Sequence, residues 1–157
     1  MKTKVLNDEL CFTYHDEFRE MDDAEIAKLA AGGQPPQFAV ADTERHMIIT
    51  VGYRSIPGFS AMMLNEKDIA KKAEPQIAKP MKPFGYQLEG FVSEVIGNKN
   101  AEAFRYTYTA QDIAMCGETV AAKAGKNLYY IHCYYRAALK EERLKTFGEI
   151  LAASSWK

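Results

Sequence analysis

The chain has no long apolar run. A membrane-crossing helix takes about 20 mostly uncharged residues, and charges here recur every few positions, so none is expected. The start, Met1-Lys2-Thr3-Lys4-Val5-Leu6, is basic, but no hydrophobic stretch follows and it does not read as a signal peptide. Positive charge is in no surplus either: 20 Lys and Arg stand against 21 Asp and Glu, a formal charge of −1. Nucleic-acid binders carry a basic excess and membrane-surface proteins a cationic amphipathic helix, so neither partner is expected. Cysteine is scarce. Cys11, Cys116 and Cys133 are odd in number and widely spaced, the pattern of reduced thiols in a cytoplasmic protein. The chain also lacks G-x-x-x-x-G-K-[ST], G-x-G-x-x-G, C-x-x-C, H-E-x-x-H and G-x-S-x-G, which removes the common phosphate-loop, dinucleotide, zinc and serine-hydrolase readings. No cofactor and no metal are expected.

What is present is enough apolar material for one core. Of 157 residues, 47% are apolar and 11% aromatic, and a chain of this size hides roughly 68–70% of its unfolded surface without help from metals or disulfides. No repeat, low-complexity stretch or long linker divides it, so residues 1–157 read as one domain. Leu10–Tyr14 reads as a first strand. Asp22 and Glu25 stand at capping-box spacing ahead of Ile26, Leu29 and Ala30, a helix expected to stop at Gly32-Gly33 before Pro35 and Pro36. Phe38-Ala39-Val40 and Met47–Tyr53 read as two strands of a hairpin around the polar turn 42–45. Asn65 can cap a helix bearing Ile69, Ala70, Ala73 and Ile77, which Pro75 is expected to kink or end, with Pro80 and Pro83 closing the segment. Strands follow at 86–96, 101–109, about 115–123 and 128–136. A last helix over 139–152 carries Leu144, Phe147, Ile150 and Leu151 on one stripe. The expected fold class is α+β: an antiparallel sheet of six or seven strands with three helices stacked on its faces.

The last hairpin specifies faces. With Gly125-Lys126 as a two-residue turn, Thr119 lies opposite His132 and Glu118 opposite Cys133. Alternation then gathers Thr119, Ala121, Tyr130, His132 and Tyr134 on one face. The other face receives Cys116, Glu118, Val120, Ala122, Tyr129, Ile131, Cys133 and Tyr135. Cys116 and Cys133 become diagonal neighbours about 7–8 Å apart, too distant for a disulfide.

The stretch Gly125–His132, then Phe147-Gly148-Glu149-Ile150-Leu151-Ala152-Ala153-Ser154 after a charged connection, resembles the close of Mog/PsbP-like domains. Gly97 and Ala103–Tyr108 are similar to the family's turn and following strand. The front departs from the pattern: His15-Asp16-Glu17-Phe18 stand where a proline and a tryptophan are usual. The resemblance implies an α/β/α sandwich around a central antiparallel sheet. It also implies a binding module: one kind in the family acts on a small GTPase of nuclear transport and another docks on the oxygen-evolving photosystem, with no shared catalytic apparatus. No partner-binding residue carries over.

Two readings of function therefore stand side by side. One is a non-enzymatic protein-binding or adaptor domain whose contact patch is Phe59, Met62 and Met63, in a run beside Pro57-Gly58 that could equally plug the end of the sandwich. The other is a small-ligand-binding protein or enzyme with a pocket lined by Tyr106, Tyr130 and Tyr134 and containing His132. A pocket joining His132, Arg105 and a tyrosine favours the second reading; an exposed patch from Phe59 to Leu64 favours the first. The bland account of His132 is a core histidine bonded to Thr119 or a tyrosine, and that of the tyrosines is ordinary strand residues reaching solvent at the sheet edges. Glu118, on a helix-covered face, must find a partner, either Arg105 on the neighbouring strand or a Lys or Arg from a packing helix, or stay protonated; the bland account is an edge position open to water. His15 and His46 read as solvated turn positions, and the lysines at 67, 71, 72, 79 and 82 as a solvated helix face. Another protein is the expected partner, with a homodimer through a sheet edge as a further arrangement.

Overall fold

A computed structural model describes residues 1–29 and 34–157. In chain order the strands are β1 (Lys2–Leu6), β2 (Leu10–Tyr14), β3 (Arg19–Glu20), β4 (Phe38–Asp42), β5 (Met47–Ser55), β6 (Gln87–Ile96), β7 (Lys99–Ala110), β8 (Ile113–Ala124), β9 (Asn127–Arg136) and β10 (Ser155–Trp156). The helices are α1 (Asp23–Lys28), α2 (Gly58–Met63), α3 (Glu66–Met81) and α4 (Lys140–Ala153). Seven strands form one antiparallel sheet in the order β3-β4-β5-β9-β8-β7-β6, and β1-β2-β10 form a second, smaller one. The fold is α+β, with α3 over β7 and β8 on one face and α4 with the small sheet on the other.

Local chemistry accounts for most of these elements. The capping box at Asp22 is complete: its carboxylate accepts from the Glu25 amide at 2.9 Å and the Glu25 side chain accepts from the Asp22 amide at 3.1 Å. The expected end of that helix, Ala30 and Gly32-Gly33, lies outside the described residues. The β8–β9 register is the expected one, Thr119 opposite His132 and Glu118 opposite Cys133, and the three cysteines are unpaired. Gly125 has φ +56 with an ordinary Lys126, as its place at the first central position of the turn requires.

The differences have physical reasons. Pro75 and Pro80 sit inside α3 without ending it, because the buried stripe Ile69, Ala70 and Ala73 anchors the helix on the sheet while Pro75 and Pro80 face water. The chain leaves α3 only through a 3-10 turn, Lys82–Phe84, closed by Gly85 at φ +75. Strands β7 and β8 are longer than their patterns suggest, since Gln111 and Asp112 both take positive φ and close a two-residue turn. Helix α2 is a fourth helix where a plain run was read. Strands β1, β3 and β10 carry too few residues or too much exposure for a period to show: β1 is exposed except at Leu6.

Each face has its own core. On the α4 side, Phe12, Val40, Ile49, Val120, Ile131, Cys133, Phe147 and Ile150 are buried together with Phe18 and Tyr135. On the α3 side, Ile69, Ala70, Phe104, Tyr106, Ala121 and Leu128 pack with Ile56 and Ala61. Gly117 lies opposite Tyr106, and a Cβ there would overlap the phenol ring, so the strand interior admits only glycine at that place. Among the described residues no helix is long and apolar enough to cross a membrane.

Gly117→Ala should lower stability by about 1–3 kcal/mol through overpacking. Gly148→Ala, where the added carbon meets open space on α4, should not lower it at all. Denaturant midpoints of the two variants check this, and equal midpoints would contradict the Tyr106 contact.

Candidate functional site

The run after β5 folds into α2, and its side chains divide. Ala61, 4% exposed, and Ile56, 8%, face the α3-side core and plug the end of the sheet. Phe59, Met62 and Met63 point the other way, at 78%, 84% and 70% exposure. Their spacing i, i+3, i+4 puts all three on one side of the single helical stretch. The run thus plugs the end of the sheet with Ile56 and Ala61 and leaves Phe59, Met62 and Met63 exposed. The helix is held by the β8–β9 hairpin: the Ile56 amide donates to the Lys126 carbonyl at 2.7 Å. The Lys123 ammonium donates to the carbonyls of Ala61 (2.6 Å) and Leu64 (2.7 Å), a cation on the open carbonyls at the C-terminal end of α2. Lys123 is a residue the sequence reading passed over. Its signal was its place two residues before Gly125, on the same face as Ala121.

The tyrosines and His132 share the α3 face but do not make a cleft. Tyr106 is fully buried under α3, and Tyr130, His132 and Tyr134 form a row of near-parallel rings along β9, with centroids 6.5 and 6.3 Å apart. His132 Nδ1 lies 2.8 Å from the Thr119 hydroxyl, the bland arrangement foreseen for it. Burial pulls the His132 pKa down to about 4, which keeps the ring neutral near pH 7. Burial likewise pushes the Tyr134 hydroxyl up to about 12 and raises those of Tyr106 and Tyr108, so these groups stay protonated near pH 7. The expectation that the meander tyrosines reach solvent at the edges fails for Tyr106 and Tyr135, which pack in the two cores because β7, β8 and β9 are interior strands.

Arg105 is on the opposite face from His132. Its Nε donates to Glu118 Oε1 at 2.8 Å, and its Nη2 is 3.9 Å from Glu94. The edge alternative for Glu118 is wrong: the residue is fully buried, since β8 lies between β7 and β9. Burial raises its pKa, Glu94 adds to that, and Arg105 offsets only part of it. Arg143 of α4, 6% exposed, is a second buried charge, and it lies on the helix stripe four residues before Phe147. Two shallow depressions lie elsewhere. One of about 300 Å³ is formed by residues 137–142, and one of about 170 Å³ has His15, Asp42, Arg45 and Glu149 in its lining. In the second, His15 Nε2 is 3.7 Å from Glu149, and Arg45 Nη1 is 2.7 Å from Asp42. Among the described residues no group of three or more His, Cys, Asp or Glu is placed to hold a metal ion.

Two variants test this electrostatic picture. Between about pH 5 and pH 7 the unfolded chain ionises its Glu118 carboxyl while the folded chain resists, so the wild type loses stability as pH rises, by about 1.4 kcal/mol per pH unit where only the unfolded group has ionised. Glu118→Gln should lack that slope, and parallel stability-pH curves for the two proteins would contradict it. Lys123→Met should speed amide exchange across Gly58–Leu64 at least tenfold with a small change in melting temperature; unchanged exchange would mean α2 is held by other contacts.

No family model matches the sequence. No curated protein matches it either. Solved structures do. The chain is similar to the solution structure of cyanobacterial PsbP (CyanoP) from Synechocystis, with TM-score 0.73 and 11% identity over 99% of this chain and 92% of that one. It is also similar to LpqN of Mycobacterium tuberculosis, described as involved in cell envelope biogenesis, with TM-score 0.60 and 10% identity over 94% and 83% of the two chains. A Bacteroides thetaiotaomicron protein gives TM-score 0.61 at 8% identity, with 99% of this chain covering 48% of that one. At these identities the likeness speaks to architecture, and what it establishes is that the chain has a PsbP-like fold.

Proposed function

We propose that this is a non-enzymatic protein-binding domain whose partner docks on Phe59, Met62 and Met63. The observation that carries the reading is the exposure of three large apolar side chains on one side of a helix whose other side is fixed to the core. Aromatic and methionine side chains of this kind lose unfavourable hydration when covered, and the flexible thioethers adapt to the covering surface. The ligand-pocket reading has less behind it. Arg105 and His132 stand on opposite faces, Tyr106 is sealed under α3, and neither depression includes a tyrosine. The raised carboxyl of Glu118 is also sealed, so it serves packing and pairing with Arg105 and not a substrate.

Membership of the wider Mog/PsbP-like superfamily belongs to this proposal. Its support is the order of elements together with the C-terminal residues Gly125–His132 and Phe147–Ser154. Neither CyanoP nor LpqN is named for a catalysed reaction, which is in keeping with a binding role. The three unpaired thiols support a reducing, cytoplasmic location.

A photo-reactive benzoylphenylalanine at position 59, illuminated in cell lysate, should give one discrete adduct that Met62→Glu abolishes. The same group at the exposed position 145 on α4 should give none. Identical adduct patterns from the two positions, or no adduct from position 59, would defeat the proposal.

A further inference from the structure

The large sheet has two edges, and they differ. At one, β3 is two residues long; at the other, β6 presents ten residues without a proline and with no strand paired to its outer side among the described residues. Natural edges are blunted by shortness, proline, lysine or a bulge. Strand β6 has a bulge between Leu88 and Gly90; from Phe91 to Val95 it has no bulge, proline or lysine, and its one charge, Glu94, lies on the other face beside Arg105.

The register fixes which backbone groups face outward. Ile96 and Lys99 flank the two-residue turn Gly97-Asn98, so they exchange both of their hydrogen bonds. Alternation makes Glu94 and Val92 bond inward to β7 as well. The N–H and C=O of Phe91, Ser93 and Val95 are therefore the ones directed away from the sheet. The side chains of the same three residues project on the α3 face. Phe91 and Val95 are 39% and 49% exposed, and Leu88 (41%) and Phe84 (51%) continue the apolar strip beside them.

We propose that β6 pairs antiparallel with β6 of a second copy of this chain, across a two-fold axis at Ser93. Three properties select that partner and that register. First, a strand read against itself must place each residue opposite one on the same face, and centring on Ser93 sets Phe91 against Val95 of the second copy on both sides of the axis, joining two exposed apolar side chains. Second, shifting the axis to Phe91 runs the pairing into the Leu88/Gly90 bulge, and shifting it to Val95 runs it past the Gly97 turn, so only the Ser93 centre satisfies all three outward residues of both strands. Third, the charges are compatible. Glu94 meets Val92 of the second copy and is answered by its own Arg105, and Glu89, paired with its own Lys140 at 3.1 Å, comes to the turn end of the second copy, where Lys99 adds no like charge. The result is an isologous dimer with one continuous sheet through both copies, and it leaves Phe59, Met62 and Met63 free.

Sedimentation or light scattering over a concentration series should give twice the 17.7 kDa chain mass at high concentration. Val95→Lys and Phe91→Lys should each raise the dissociation constant at least tenfold while leaving the far-ultraviolet spectrum unchanged. In case a lysine variant loosens the fold, Ser93→Cys in the otherwise native chain supplies a second reading: under mild oxidation it should form a covalent dimer through position 93, and Asn98→Cys should not. A monomer at every concentration, a dimer indifferent to Val95→Lys, or equal cross-linking from positions 93 and 98 would overturn the proposal.

Discussion

The two-residue turn at Gly125-Lys126 sets the parity of the whole sheet. Because side chains alternate along strands, one fewer or one more residue in that turn would exchange the faces of β8 and β9 relative to each other. In the register present, small residues stand across from large ones: Ala121 opposite Tyr130, Ala122 opposite Tyr129, Gly117 opposite Tyr134. The same parity sends Glu118 to the α4 side, where Arg105 meets it, and His132 to the α3 side, where Thr119 does. It also places Lys123 where its ammonium can reach the end of α2. The helix bearing the exposed patch is thus positioned by the same few residues that define the central hairpin.

Much of this was legible because it rests on local rules. A glycine at the first central position of a turn, an Asp-x-x-Glu box and an Asn before an amphipathic stripe each have one cheap conformation, and all three occur as read. Pro75 shows where local rules give way: a proline's lost hydrogen bond costs less than lifting Ile69, Ala70 and Ala73 off the sheet. The short strands β3 and β10 escaped notice because two residues show no period, and Lys123 because a lysine's partner is decided by tertiary neighbours. The site was half legible. The composition of residues 56–64 marked it, but which members face the core and which face water depended on the Lys126 carbonyl and on the depth of Ala61.

The buried Glu118–Arg105 pair serves architecture. Glu118 lies on the α4 side of the sheet, where the hydrogen bond from Arg105 gives its carboxyl a partner although burial and Glu94 hold its pKa up. The aromatic row on β9 is likewise part of packing: His132, neutral and bonded to Thr119, fills a position among rings without introducing a charge.

Residues near the chain's two ends are tied to each other and to strands β6 and β9 of the large sheet. Leu10 pairs with Trp156, the Lys157 amide donates to the Glu9 carbonyl at 2.8 Å, and the Trp156 indole donates to the Ile96 carbonyl at 2.9 Å. Tyr129 and Asn127 both donate to the Glu9 carboxylate. The opening strands therefore have no complete seat until residues 155–157 are in place, so the small sheet depends on contacts of very high sequence separation.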